Sequence, residues 1–139
     1  MSHTHSQPVV SHRAAIALVQ AALAKAEALG LAVAIAVVDR NGLLRGALTM
    51  DAAPLIAEQM CRAKANAALL GLASEQLANM LKDQLPQLVS FASWPGVSIM
   101  GGGLPVIIDG QVVGAIGVGG ASTEQDIAIA EAALASLSQ

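Results

Sequence analysis

Residues 31–50, LAVAIAVVDRNGLLRGALTM, carry the strongest signal for the fold. The run LAVAIAVVD is continuously apolar, rich in β-branched residues, and ends at Asp39, which is typical of a buried strand. Asn41-Gly42 follows, and LLRGALTM is a second extended segment. Because Asn-Gly after a strand is a strong hairpin signal, the two segments are predicted to pair as antiparallel strands.

A second hairpin is predicted further along the chain. Residues 104–108 and 111–118 are apolar segments separated by the turn residues Asp109-Gly110. Residues 97–100 and the glycine run 101–103 precede them, so this region supplies two or three strands. Helices are predicted at residues 11–30, 54–70 and 122–137, with a short one from Ser74 and an ordered loop at 86–95. This order predicts an α/β fold with a mainly antiparallel sheet covered by helices.

The composition predicts one folded domain. The chain has 139 residues, of which 55% are hydrophobic and 12% charged, so it has ample apolar surface to offset the entropy of ordering. We expect a flexible tail at residues 1–10 and a single domain at 11–139. Apolar runs are too short to span a membrane. Much of the excess is alanine, which lets helices pack on several neighbours, so a homo-oligomer is predicted.

Charge and cysteine content exclude several classes of function. The net charge is −3 and the basic residues are scattered, so the chain has no basic patch for nucleic acid. The single cysteine, Cys61, rules out an internal disulfide, and the first ten residues lack the features of a secretory signal. The cytoplasm is therefore the expected compartment.

Lys64 is the sharpest candidate for a functional residue. At 100° per residue, the polar residues of its helix cluster on one side and Lys64 points the opposite way, onto the apolar face with Ala57, Met60 and Ala67. A lysine there loses hydration energy on burial unless it forms an ion pair with a carboxylate. Asp39 or Asp51 is the expected partner. Such a lysine suits proton transfer or contact with an anion. The alternative is a structural ion pair or a lysine whose stem reaches water.

The other candidates each have a structural alternative. Phe91 and Trp94, the only aromatic residues, lie just before the glycine run and predict either a pocket wall or a loop pinned to the core. Asp126 and Glu124 lie at a helix N-terminus, where they complement the helix dipole. His12, at the start of the first helix, is the one ordered imidazole expected as a ligand for haem iron or another metal, or else a surface residue.

Three stretches together resemble the GlcG/HbpS family of haem-binding or haem-degrading domains, which also forms the C-terminal domain of PduO-type corrinoid adenosyltransferases. They are AIAVVDRNGLLRGALTMDAAP, RAKANAA and GGGLPVIIDGQVVGAIGVGGASTEQDIAIAEAAL. The resemblance covers residues 12–135. It implies a profilin-like three-layer sandwich, with a central antiparallel sheet of about five strands and helices on both faces. It also implies an oligomer.

The resemblance transfers several residues to the candidate site. Asp39, Met50, Asp51, Lys64, Gln125 and Asp126 occupy family motif positions. Three positions depart from the pattern: Thr49 replaces an arginine, Ala52 a glycine, and Ala67 a small hydroxyl residue. Loss of the arginine removes an expected contact to a ligand carboxylate.

Two functions follow from these observations. The first is an oligomeric small-molecule-binding protein with a tetrapyrrole such as haem as ligand, held in a pocket between adjoining subunits. Its predicted ligand-binding residues are Lys64, Met50, Asp51, Phe91, Trp94, Gly101, Gly102, Gly103, Pro105, Gln125 and Asp126, with His12 or a methionine near the metal. The second is a small catabolic enzyme, of lyase, isomerase or hydrolase type, that uses Lys64 with Asp39 or Asp51. A third hypothesis is that the protein is a structural or accessory subunit that binds no ligand.

Overall fold

The computed structural model describes residues 2–138. Met1 and Gln139, the outer ends of the predicted tail and domain, lie outside the described residues. The helices are α1 (His12–Ala28), α2 (Ala57–Ala68), α3 (Ser74–Leu81), α4 (Leu85–Ala92) and α5 (Thr123–Ser136). The strands are β1 (Ala34–Asp39), β2 (Leu44–Thr49), β3 (Gly103–Ile108) and β4 (Gln111–Gly119).

The strands form one antiparallel sheet in the order β2-β1-β4-β3. Both predicted hairpins are confirmed: β1 pairs with β2 across the Asn41-Gly42 turn, and β3 pairs with β4 across Asp109-Gly110. The central pair is β1 with β4, in which Ile35 lies opposite Val118 and Asp39 opposite Gly114. The α/β fold with an antiparallel sheet is therefore as expected.

Two details of the prediction are wrong. Among residues 2–138 the sheet has four strands rather than about five, because residues 97–100 do not pair as a strand, and the N–H of Ser98 donates instead to the carbonyl of Ala63 in α2. Residues 85–92, all but the first of which lie in the region 86–95 predicted as a loop, form the helix α4, which has Pro86 in its first turn, where the missing N–H of proline is no loss.

Side chains of β1 pack in two directions. Ile35 and Val37 belong to the largest hydrophobic cluster, which includes buried residues of α1 and α5. Ala34 and Ala36 pack with Ala57 and Cys61 of α2 in a second cluster. Because successive strand residues point to opposite faces, α2 lies across the sheet from α1 and α5.

Glycines in β4 let α2 approach the sheet backbone to backbone. A Cβ on Gly117 would collide with the carbonyl oxygen of Cys61, and one on Gly119 would lie 3.1 Å from the carbonyl oxygen of Ala57. A residue with any side chain at Gly117 would push the helix away. This close contact fixes the position of every side chain on the buried face of α2.

The N-terminal segment meets the sheet at Val10. Residues 2–9 are exposed, whereas Val10 is buried and its N–H donates to the carbonyl of Val113. In the part of the chain that the structure describes, no helix has the length and hydropathy needed to cross a membrane.

Candidate functional site

Lys64 is buried on the sheet side of α2, as the helical periodicity predicts. Its side chain is 4% exposed, while Glu58, Gln59 and Arg62 of the same helix are exposed. The ammonium Nζ donates to the carboxylate Oδ2 of Asp126 and to the carbonyl oxygen of Val118, both at 3.0 Å. An ammonium has three donors, so one N–H remains for a further acceptor.

Asp126 connects the first turn of α5 to this lysine. Its Oδ1 accepts a hydrogen bond from the backbone N–H of Ala121 at 3.1 Å, and the residue is 1% exposed. It therefore holds the backbone just before Ser122, the N-cap of α5, and also forms a buried ion pair with Lys64. The N-terminal end of a helix favours a carboxylate at this position.

The glycine run lies against the lysine. A Cβ on Gly102 would be 3.1 Å from both Cδ and Nζ of Lys64, and Gly102 has a φ of +127°, which L side chains rarely adopt. Ser74, the first residue of α3, holds this segment: its Oγ donates to the carbonyl of Met100 at 2.7 Å and accepts from the N–H of Gly103 at 2.9 Å.

An open cavity of about 380 Å³ lies beside the ion pair, and we call it the Lys64 cavity. Its lining comes from the start of α2, the residue before the glycine run and the start of α5: Pro54, Ile56, Ala57, Met60, Lys64, Met100, Gly120, Ala121, Thr123 and Asp126. The volume falls in the lower part of the range of small-molecule sites, about 300–1,000 Å³. The wall is apolar except for the ion pair, the Thr123 hydroxyl and backbone groups.

Asp39 is not the partner of Lys64, which corrects the prediction. Its Oδ1 accepts from the N–H groups of Asn41 and Leu43, at 2.9 and 3.1 Å, and its Oδ2 lies 3.4 Å from Nη1 of Arg45. Lys64 binds Val118, four residues along β4 from the Gly114 that faces Asp39, which is about 13 Å at strand spacing. Asp39 holds the β1–β2 turn.

Asp51 and Met50 also lie away from Lys64. Asp51 is exposed, and both residues line a small cavity of about 270 Å³ with Leu23 and Glu27 of α1. The Sδ of Met50 accepts a hydrogen bond from the N–H of Val33 at 3.4 Å. The pairing of Lys64 with Asp51 is therefore wrong, because α1 and α2 lie on different faces of the sheet.

Phe91 and Trp94 line a separate cavity, the α3–α4 cavity, of about 490 Å³. The rest of its lining is Leu77, Leu81, Pro86, Gln87 and Ser90. Trp94 is 66% exposed. The prediction required one pocket lined by the two aromatic residues, Met50 and the glycine run. Within one chain, Phe91 and Trp94 instead line a cavity separate from that of Met50 and from the Lys64 cavity.

The remaining predicted residues lie outside the Lys64 cavity. His12 is exposed at the start of α1, on the other side of the sheet from Lys64. Pro105 lines a cavity between β3 and α5, and the exposed Gln125 forms a capping box with Ser122. Among residues 2–138, no three His, Cys, Asp or Glu side chains group as a metal site.

Cys61 lies one turn before Lys64 and is chemically quiet. It is 3% exposed, and its thiol donates to the carbonyl of Glu58 at 3.0 Å. Burial raises the pKa of the Cys61 thiol from the ordinary 9.0 to about 11. The thiol therefore stays protonated at neutral pH and is a poor nucleophile.

Four residues of the site were not predicted from the sequence: Met60, Met100, Thr123 and Ser74. Met60 had a signal, because it precedes Lys64 by four residues and shares its helix face. Met100 and Thr123 had none, since they reach the cavity only through the packing of the glycine run against α5, where a Cβ on Gly101 would lie 2.6 Å from Cγ2 of Thr123.

Comparison with known proteins shows the family. The model of the family described as "Haem degrading protein HbpS-like" matches residues 10–135. Protein GlcG of Escherichia coli K12 is 33% identical over 114 residues, which cover 79% of this chain and 81% of GlcG. The corrinoid adenosyltransferase PduO of Citrobacter freundii is 31% identical over 122 residues, but these cover 86% of this chain and only 36% of PduO.

Solved structures share the fold over nearly the whole chain. Protein ORFY of Klebsiella pneumoniae has a TM-score of 0.92 and 30% identity, covering 99% of this chain and 97% of ORFY. An HbpS variant from Streptomyces reticuli has a TM-score of 0.89 and 33% identity, and the match covers 99% of this chain and 92% of the HbpS chain. A crystal structure of a PduOC–haem complex has a TM-score of 0.84 and 28% identity, and the match covers 92% of this chain and 94% of the PduOC chain. The chain belongs to the HbpS-like family.

Proposed function

We propose that this HbpS-like chain binds a tetrapyrrole, haem in the first instance, at the Lys64 cavity. The observation that carries the proposal is a buried ammonium with one unused donor on the wall of an otherwise apolar cavity. A haem has an apolar ring and carboxylate side groups, so it requires both features. The PduOC–haem complex, on the same fold, supports the choice of ligand.

The residues present fit such a group. Met60 and Met100 bring thioether sulfurs to the cavity, and methionine is a known ligand of haem iron. Lys64 donates to a ligand carboxylate with its remaining N–H, and Asp126 holds the ammonium in place. Pro54, Ile56 and Ala57 provide apolar contact and exclude water. Bound haem would supply redox chemistry or oxygen binding, which these side chains by themselves do not.

A homo-oligomer is part of the proposal, because the mouth of the cavity is unusually apolar. Leu55 is 101% exposed and Ile56 is 63% exposed at the start of α2. Large apolar side chains left open beside a cavity are typical of an interface or a ligand site. Light scattering with and without hemin tests this part, and a monomer under both conditions would contradict it. The proposed compartment is still the cytoplasm.

The test of ligand binding is a hemin titration of the purified protein. We expect a saturable shift of the Soret band and matching quenching of the fluorescence of Trp94, the only tryptophan. The absence of a saturable shift in the wild type would overturn the proposal.

A paired variant tests the role of Lys64. Lys64→Met strands the Asp126 carboxylate, so it is compared with Lys64→Met/Asp126→Leu, which removes both charges and keeps the volume. We expect at least about a tenfold weaker hemin Kd in the double variant, equivalent to one charge-assisted hydrogen bond of about 1.4 kcal/mol. Arg62→Met, on the exposed side of α2, should leave the Kd unchanged.

A second candidate function is a small enzyme of lyase, isomerase or hydrolase type. The observation in its favour is the modest volume of the Lys64 cavity, about 380 Å³, with a fixed ammonium on its wall. The partner of Lys64 would be Asp126 rather than Asp39 or Asp51, and the ammonium would stabilise negative charge that develops on a carbonyl oxygen. Deuterium uptake at C3 of small 2-oxo acids, the carbon next to the ketone, followed by NMR, tests it. Uptake that persists in Lys64→Met/Asp126→Leu would contradict it.

A further inference from the structure

The iron of a bound haem requires a ligand from the protein, and few side chains of this chain qualify. Proteins most often ligate haem iron through histidine, cysteine thiolate, methionine or tyrosine. The sequence has no tyrosine. Cys61 faces β1 in an apolar cluster and carries a protonated thiol. The choice is therefore between histidine and methionine.

The histidines lie away from the Lys64 cavity. His12 is exposed at the start of α1, across the sheet from α2. His3 lies in the exposed N-terminal segment, and His5 lies near Arg40 and Gln111 at the start of β4. None of them lines the cavity, so a histidine ligand would have to come from another copy of the chain.

Two methionines line the Lys64 cavity, and they differ in how they are held. Met60 is half-buried on α2, and its Cβ packs over Gly119 of the sheet. Met100 is 55% exposed at the mouth of the cavity. Its backbone is fixed on both sides: its N–H donates to Ser98 Oγ at 3.3 Å, and its carbonyl accepts from Ser74 Oγ at 2.7 Å.

Ser74 makes this arrangement rigid. It is completely buried, it starts α3, and its hydroxyl bridges Met100 and Gly103, the residues on either side of Gly101-Gly102. A methionine side chain has three rotatable bonds and a polarisable sulfur, so it adapts to a ligand once its backbone is fixed. Met100 thus combines an anchored backbone with a free thioether next to the cavity.

We propose that Met100 would ligate the iron of a bound haem through its Sδ, and that Ser74 is the positioning residue that holds Met100 at the cavity mouth. This inference rests on the proposed haem binding. It places the ligand in the same chain as Lys64, on the segment that packs against that lysine.

The experiment compares hemin complexes of the wild type, Met100→Leu, Met60→Leu and His12→Ala. Leucine keeps the volume and removes the sulfur. We expect Met100→Leu to lose the near-infrared charge-transfer band of a ferric haem–thioether complex and to lower the reduction potential, with hemin still bound within about threefold of the wild-type Kd. His12→Ala should keep the wild-type spectrum, and Met60→Leu should keep the thioether band.

Ser74 is tested by the same spectrum rather than by affinity. Ser74→Ala should reduce the fraction of hemin that shows the thioether band, and it should have no spectral effect in a Met100→Leu background. A purely structural role would alter stability in both backgrounds and leave the band of the bound fraction intact, which would overturn the positioning role.

The outcomes separate the two proposals. If the wild type binds hemin and His12→Ala or Met60→Leu abolishes the band, or Met100→Leu leaves the spectrum unchanged, the ligand assignment is overturned while haem binding stands. If the wild type does not bind hemin at all, both proposals fail.

Discussion

Helices α2 and α4 show opposite relations between apolar composition and burial. Helix α2 carries three charged residues, Glu58, Arg62 and Lys64, yet half of its residues are buried, Lys64 among them. Helix α4, with the sequence LPQLVSFA, carries no charge, yet none of residues 85–92 is buried. Composition alone would assign the buried position to α4. The difference arises because glycines in β4 leave room for α2, so burial follows from backbone approach as well as from hydropathy.

The largest effect is expected where α2 holds its charge. Lys64→Met leaves the carboxylate of Asp126 buried without its partner, so it should lower the free energy of unfolding by about 3–5 kcal/mol. Lys64→Met/Asp126→Leu removes both charges and should recover most of that loss. Urea denaturation measures both variants. Equal losses in the single and double variants would mean that the pair contributes packing rather than charge.

The next effect concerns the glycines under α2. A methyl group in Gly117→Ala would overlap the carbonyl of Cys61 and lie 2.8 Å from the N–H nitrogen of Ala65, so we expect a loss of about 3 kcal/mol in the free energy of unfolding. The control is Gly46→Ala in β2, where the new Cβ would lie 3.3 Å from the Val19 side chain and 3.6 Å from Cβ and the carbonyl oxygen of Ala15, with no overlap. Similar losses at both positions would remove the special role given to the α2 contact.

The buried thiol of α2 predicts a dependence on pH. Since the pKa of Cys61 is raised from 9.0 to about 11 in the folded state, its contribution to stability is fully present below pH 9 and is lost as the pH rises through about 11. Between pH 8 and pH 10.5, the free energy of unfolding should therefore decrease less for Cys61→Ala than for the wild type. Identical slopes for the two proteins would contradict this prediction.

A smaller effect is expected in the turn that leads into α2. Ala52, which replaces the glycine implied by the family pattern, has a φ of +65°, and a non-glycine residue in this region is strained by roughly 1 kcal/mol. Ala52→Gly should raise the free energy of unfolding by up to about 1 kcal/mol, offset in part by the entropy of glycine. Thermal unfolding measures the change, and Ala47→Gly in β2 is a control that should only destabilise.

The smallest effect is expected at the end of α4. Trp94 is 66% exposed, so Trp94→Ala should change the free energy of unfolding by no more than about 0.5 kcal/mol. A loss of 2 kcal/mol or more would show that α4 packs as firmly as α2, and the contrast between the two helices would not hold.

Much of this molecule follows from local patterns. The strands at 34–39 and 44–49, their hairpin turn and the buried position of Lys64 depend on periodicity and turn chemistry within about 20 residues, which a single sequence displays directly. The capping box at Ser122 and Gln125 is equally local. The residues that mark the family lie in these same segments, so the family was recognised from the sequence.

The partner of Lys64 was decided only by the tertiary structure. Lys64 and Asp126 are 62 residues apart in sequence, and Asp39 and Asp51 are nearer along the chain, but the antiparallel register of β1 and β4 places Lys64 at the other end of the sheet from Asp39. Likewise, the separation of Trp94 from the Lys64 cavity depends on where α4 ends in space. A sequence specifies which face of an element is buried because that choice is local, whereas it leaves open which distant side chain meets that face, because this depends on strand register and on how closely the backbones approach.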